Sequence, residues 1–302
     1  MLHYSIRNYE NSSRKEIFMM GSKIIDGKSL AKQIRKEISL KVQELKNQKG
    51  VIPGLAVVLV GDDPASHSYI RSKERACKEV GFYSEVYRLE EGITQEELLE
   101  LINKLNQDQK IHGILVQLPL PKHIDENIVN ENIDPKKDVD GFHPINLGKL
   151  FLGKPDFISC TPKGIICLLK QYHISIEGKN AVVVGRSNIV GKPAAILLMQ
   201  ENATVTLCHS KTKDLKEHLQ RADIIVSALG KASFITADMI KEGAIVIDAG
   251  TTRVNGKLTG DVDYEGALEK VKMITPVPGG VGPMTIAMLL DNTLESFLKI
   301  QN

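Results

Sequence analysis

The chain has 302 residues, with 39 basic and 37 acidic side chains and a formal net charge of +2. A balance this close to neutral offers no basic field for nucleic acid. Aromatics at 5% with no tryptophan disfavour a base-stacking surface. No apolar run approaches the ~18 residues of a membrane span, and about 150 residues per domain suggests two domains, or one large one.

Residues 1–19 are polar, with Arg7, Glu10, Arg14, Lys15 and Glu16 and no apolar core of signal-peptide length. They read as a disordered extension, or as the product of a start codon placed too far upstream. Organised sequence begins near Met20. From Ser29, a plausible N-cap, Leu30, Ile34, Ile38, Val42 and Leu45 recur at helical spacing. Pro53-Gly54 breaks that helix. Leu55 to Val60 then reads as a strand buried on both faces. Asp63-Pro64 opens a second helix that runs to Val80-Gly81, and a strand near Ser84 to Leu89 follows. Thr94 to Glu97 is a capping box, and Gly113 to Leu118 a further buried strand.

Prolines at 119, 121, 135, 144, 155 and 162 loosen the pattern and place a domain junction late in this stretch. Beyond Thr161-Pro162, strand-like runs begin near Ala181, Ala203, Asp223 and Ala244, roughly every twenty residues, as in a doubly wound parallel sheet. Thr285 to Ile300 reads as an amphipathic helix. Cys77, Cys160, Cys167 and Cys208 form no Cys-x-x-Cys pair, and the histidines form no His-x-x-x-His pair. The expectation is reduced, buried thiols in a cytoplasmic protein, and no metal.

Six stretches invite chemistry. Ala181 to Pro193 is a strand, a turn at Gly185 and a helix start that can face a phosphate. The dinucleotide fingerprint is imperfect: Ser187 and Val190 stand where glycines belong, and Gly191 is one place late. A purely structural turn would look the same. After the next strand come His209, Ser210 and Lys211, with no carboxylate to hold a ribose 2′-hydroxyl. Arg186 and Ser210 suit a 2′-phosphate instead, which favours NADP. An Arg186 merely solvated in its loop is the plainer alternative. Tyr69 and Lys73, at i and i+4, share one helix face, as a catalytic lysine or a solvated one packed over a ring would. Gln117 interrupts an apolar strand, and Asp138 and Asp140 sit in the junction, where turn or capping roles are the simpler reading. Thr275 to Thr285, with Pro278, Gly279 and Gly280, is stiff and poor in side chains, fit for close approach to a ligand or for linking domains.

Together, Lys23 to Gly27, the Tyr69/Lys73 helix, Gly113 to Pro121, Lys137 to Gly141, Gly185-Arg186-Ser187, His209-Ser210 and Pro278 to Thr285 resemble the bifunctional methylenetetrahydrofolate dehydrogenase/methenyltetrahydrofolate cyclohydrolase family. The resemblance covers the chain from Lys23 onward. It implies an α/β catalytic, folate-binding domain (20–160 with 285–302) and a Rossmann-like, doubly wound NADP-binding domain (161–284), with a cleft between them. It further implies Lys73 as the principal catalytic residue, Tyr69 orienting folate and lysine, Gln117 tuning the lysine, and Asp140 binding the pterin. Pro278, Gly279 and Gly280 would line the substrate site. Gly185, Arg186, Ser187, Ser210 and Thr251 would hold NADP. The implied partners are the folate substrate and a second copy of the chain, paired through the cofactor domain. A dehydrogenase without hydrolase activity, or a non-catalytic NADP-binding redox sensor, would share the cofactor half. The intact Tyr69, Lys73, Gln117 and Asp140 argue against the sensor.

Overall fold

The structure is a computed structural model that describes residues 23–301; the expected extension at 1–19 lies outside the described residues. In chain order the first elements are α1 (Gly27–Lys49), β1 (Gly54–Val60), α2 (Pro64–Val80), β2 (Tyr83–Leu89), α3 (Gln95–Gln107) and β3 (Gly113–Val116). Then come α4 (Glu126–Asn132), α5 (Pro144–Phe151), α6 (Cys160–Gln171), β4 (Asn180–Val184), α7 (Gly191–Gln200), β5 (Thr204–Cys208) and α8 (Leu215–Gln220). The last are β6 (Ile224–Ser227), β7 (Ile245–Asp248), β8 (Thr252–Val254), β9 (Lys257–Thr259), α9 (Tyr264–Leu268), β10 (Met273–Ile274) and α10 (Val281–Ile300).

The described chain divides into two compact units: 33–160 with 286–301, and 23–32 with 161–285. In the first, β1 lies between β2 and β3, all parallel. Its position explains its composition, since all seven residues are buried. Ala56, Val58 and Val60 pack with Leu98, Ile102 and Leu105 of α3 and with Ile114 and Val116 of β3. Each Val, Leu or Ile among them contributes about 1.5–3 kcal/mol of burial. Asp63 caps α2 by accepting from the Ser66 amide at 2.7 Å, and Gly81 ends it in the left-handed region at φ 83°. The Thr94/Glu97 capping box is formed at the start of α3.

In the second unit five parallel strands run in the order β10-β7-β6-β4-β5. The chain starts at β4, steps to β5, then crosses back to β6. The carboxyl end of β4 is therefore the switch point where doubly wound sheets bind ligands. Residues 23–32 join this unit through the Ile25 amide, which donates to Ile274 at 2.8 Å, and the Lys28 amide, which donates to Gly279 at 2.8 Å. Helix α1 starts two residues before Ser29: the Asp26 carboxylate accepts from the Ser29 amide at 3.0 Å and its hydroxyl at 2.6 Å. Asp26, not Ser29, supplies the cap. Strand β10 and the β8–β9 hairpin were not expected from the sequence. All four cysteines are buried thiols outside any disulfide. No helix among the described residues is long and apolar enough to cross a membrane.

Candidate active site

Lys73 lies on α2 and is only 9% exposed. Its ammonium donates to Gln117 Oε1 at 2.9 Å. Gln117 follows the last residue of β3, and its backbone amide still donates to Val58 at 2.8 Å. Its Nε2 donates to the Leu118 carbonyl at 2.7 Å, which leaves Oε1 to face the lysine. Burial pushes Lys73 below the ordinary lysine range, opposed by the nearby Asp140 carboxylate. Burial likewise pushes Asp140 up, opposed by Lys73. The two are coupled, each partly offsetting the other's desolvation, which remains the larger effect on both. Tyr69, one turn before Lys73, keeps its ring 40% exposed.

The Lys137 to Gly141 motif splits into three roles. Lys137 Nζ donates to the Leu105, Asn106 and Asp108 carbonyls at 3.1, 2.7 and 2.9 Å, closing the end of α3. The Asp138 carboxylate accepts from the Gly141, Phe142 and His143 amides and from Asn146 Nδ2, all within 3.1 Å. It is fully used in holding the loop. Asp140 alone faces the buried lysine.

The residues expected to hold a cofactor stand at the carboxyl ends of neighbouring strands in the second unit. Gly185 has φ +123°, and a Cβ there would lie 2.3 Å from the Ala228 carbonyl oxygen. A Cβ at Gly191 would lie 2.1 Å from the Gly185 oxygen. The glycine that looked one place late is thus the one the turn requires, closing the loop against Gly185. Ser187 Oγ accepts from the Val190 and Gly191 amides at 3.1 and 3.3 Å and so shapes the start of α7. Val184 pairs with Cys208, so Arg186 and Ser210 each lie two residues past paired strand ends, both exposed. No carboxylate lies among His209, Ser210 and Lys211 beyond β5. A glycine-closed turn before a helix, flanked by a guanidinium and a hydroxyl, fits the phosphates of NADP.

Thr251 is exposed beyond β7. Sequence reading missed what holds it there. Asp248 accepts from the Gly250, Asp261 and Val262 amides, and Asp261 from Ser227, Leu229 and Lys231. Burial pushes Asp248 up to about 6. Gly279, at φ +114°, and Gly280 follow Pro278 after β10. A Cβ on Gly27 would lie 1.9 Å from the Gly280 oxygen, so the Asp26-Gly27 turn and this loop meet backbone to backbone.

Residues 25–140 match the tetrahydrofolate dehydrogenase/cyclohydrolase catalytic domain, and residues 159–301 its NAD(P)-binding domain. This chain belongs to that family. The bifunctional protein FolD of Bacillus subtilis (strain 168) is 58% identical over 278 residues, covering 92% of this chain and 98% of that protein. The crystal structure of the bifunctional FolD methylenetetrahydrofolate dehydrogenase/cyclohydrolase from Campylobacter jejuni is 54% identical. It superposes with a TM-score of 0.90 over 92% of this chain and 99% of that one. The Trypanosoma brucei N5,N10-methylenetetrahydrofolate dehydrogenase-cyclohydrolase, solved with NADP cofactor and an inhibitor, is 40% identical. Its TM-score is 0.89 over 92% of this chain and 98% of that one.

Proposed function

We propose that this chain oxidises 5,10-methylenetetrahydrofolate to 5,10-methenyltetrahydrofolate with NADP and then hydrolyses the product to 10-formyltetrahydrofolate. The observation that carries this reading is the buried Lys73, held by Gln117 and paired with Asp140, in a member of this family.

Bound NADP supplies the hydride acceptor. Gly185 and Gly191 shape the turn that receives its phosphates, Arg186 and Ser210 take the 2′-phosphate, and Ser187 and Thr251 complete that end of the sheet. Hydride loss from a carbon between two nitrogens leaves a delocalised cation, so the first step asks the protein chiefly for positioning. Tyr69 packs on the folate ring, Asp140 accepts hydrogen bonds from the pterin, and Pro278, Gly279 and Gly280 bring backbone to the substrate. The second step moves protons. Water attacks the cationic carbon, and Lys73, its affinity for a proton reduced by burial, takes one proton as the C–O bond forms. The C–N bond then breaks, and Lys73 returns a proton to the leaving nitrogen. Of the two protons of water, one stays on that nitrogen and one is released. Gln117 holds the lysine's nitrogen at its post throughout.

The reading extends to a homodimer formed through the cofactor-binding unit, supported by the family resemblance, and to a cytoplasmic setting, supported by four buried cysteines that remain thiols. Incubation with methylenetetrahydrofolate and NADP, following methenyl and formyl products separately, tests the function. No methenyl product would overturn it, and methenyl accumulating without formyl would establish a dehydrogenase alone.

A further inference from the structure

Asp140 owes its direction to the backbone around it. The Val139 carbonyl and the Asp140 amide share one rigid peptide plane, and the Asp140 carbonyl and the Gly141 amide share the next; with the Gly141 amide already held by Asp138 Oδ1 at 3.1 Å, fixing the Val139 carbonyl fixes both planes and so where the Asp140 Cα–Cβ bond points. The carbonyl is held from the C-terminal helix. Asn292, fully buried on α10, donates from Nδ2 to Val139 O at 2.8 Å and to Ile158 O at 3.0 Å. The same nitrogen lies 3.7 Å from Cys160 Sγ, and the Cys160 thiol donates to Val139 O at 3.3 Å. On the other side of Asp140, Ser159 Oγ donates to the Gly141 carbonyl at 2.9 Å. The loop that bears Asp140 and the segment entering α6 are thus joined at one amide. Asn292, Val139, Asp140, Ile158 and Cys160 all belong to the unit of 33–160 with 286–301.

We propose that Asn292 is a positioning residue for folate binding: by tying the Val139 and Ile158 carbonyls together it aims the Asp140 carboxylate at the pterin. This rests on the reading of Asp140 given above. Asn292 touches no substrate and acts through Asp140. A buried amide that only stabilised the fold would change how much enzyme is folded and leave the substrate affinity of the folded fraction as it was. The same helix supplies a control. Ser296, four residues on and so on the same face, lies 2.7 Å from the Lys136 carbonyl and reaches the His112 carbonyl as well. It anchors the strand that precedes the loop without touching the peptide at Asp140.

The test uses the full chain and the hydrolysis of methenyltetrahydrofolate, which needs no NADP. Asn292→Leu keeps the side chain's size and removes the donors; Asn292→Ser, which keeps one short donor, serves if the leucine variant does not fold. The KM for the methenyl substrate should rise about tenfold, the scale of one buried hydrogen bond lost. The KM for NADP in the dehydrogenase reaction should stay as in wild type. Ser296→Ala should lower Tm with the folate KM unmoved. Asp140→Asn should itself raise the folate KM, and adding Asn292→Leu to it should raise it little further. A raised KM in Asp140→Asn with an unchanged KM in folded Asn292→Leu or Asn292→Ser would overturn this proposal alone. An unchanged KM in Asp140→Asn would overturn the reading of Asp140 and this proposal together. An equal rise in Ser296→Ala would assign the effect to the helix as a whole and overturn it too.

Discussion

Lys73 donates to Gln117 Oε1 at 2.9 Å, and the other end of that amide is tied to the Leu118 carbonyl at 2.7 Å. The lysine therefore meets a fixed acceptor rather than a swinging one. Its replacement should separate the two reactions. Lys73→Met keeps much of the length and apolar bulk and removes the amine. Methenyl hydrolysis should fall by at least about 10²-fold, the usual worth of a general acid/base, while NADP reduction falls less. Gln117→Ala should act through the same lysine, so the double variant should be far from additive. A Lys73→Met enzyme that hydrolyses the methenyl compound at near wild-type rate would assign the proton to Tyr69 or to water.

Arg186 and Ser210 leave paired ends of adjacent strands, and no acidic residue stands among His209, Ser210 and Lys211. Wild type should prefer NADP to NAD, and Arg186→Ala should lose most of that preference by weakening NADP binding rather than improving NAD. Titrating both cofactors against both proteins decides it. Equal use of NAD by wild type would contradict the assignment.

His112 predicts acid sensitivity. Its ring is buried, Nδ1 accepts from the Gly54 amide at 3.1 Å, and Phe297 meets it edge-on at 4.7 Å. Burial first, and Lys137 second, push its pKa down to about 4. The native state thus binds this proton less readily than the unfolded chain, whose histidine titrates near 6.5. The stability from the neutral ring is whole above pH 6.5 and drains away as pH falls through 4, about 3 kcal/mol in all. His112→Asn keeps an acceptor for Gly54 and cannot be protonated. It should be less stable at pH 7, with the deficit shrinking toward pH 4. Urea midpoints at pH 7, 5 and 4 give the comparison; parallel curves would count against it.

Two glycines should respond oppositely to alanine. A Cβ on Gly27 would sit 1.9 Å from the Gly280 oxygen, backbone against backbone. Gly27→Ala should cost about 1–3 kcal/mol of stability. Gly148, inside α5, has nothing within 4 Å of its missing Cβ. Gly148→Ala should add about 0.5–1 kcal/mol by propensity alone. Thermal melts of the two variants should bracket wild type, and equal shifts would refute the packing argument.

The sequence makes plain those elements whose burial leaves a periodic trace. The Leu30 to Leu45 ladder, the all-apolar β1 and the Thr94 capping box are physical causes that are also visible patterns. Strand β10 is two residues long, too short for any period. Asn255-Gly256 supplies the turn between β8 and β9, but strands of three residues carry no alternation to announce them. At the site, residue types were legible and their partition was not. Asp138 and Asp140 look alike in sequence, and only the donors converging on Asp138 show which one builds the loop. Gly191 fails a spacing rule yet meets the need that rule encodes. Asn292 looks like one more polar residue of an amphipathic helix until its long-range partners are known.

Lys23 donates to the carbonyl of Leu268, 245 residues further along the chain, and Ile25 pairs with Ile274. The unit of 23–32 with 161–285 therefore cannot close until nearly the whole chain has left the ribosome. Strands β1, β2 and β3 lie within one continuous stretch and have one another as sheet partners before that moment, although α10, which holds the same unit through Asn292 and Ser296, arrives last. Synthesis imposes an order on assembly: the sheet beside the buried lysine forms early, and the opening segment waits for its distant mate. A nascent chain arrested before residue 268 should already protect β1 from proteolysis while Lys23 to Lys32 stays cleavable.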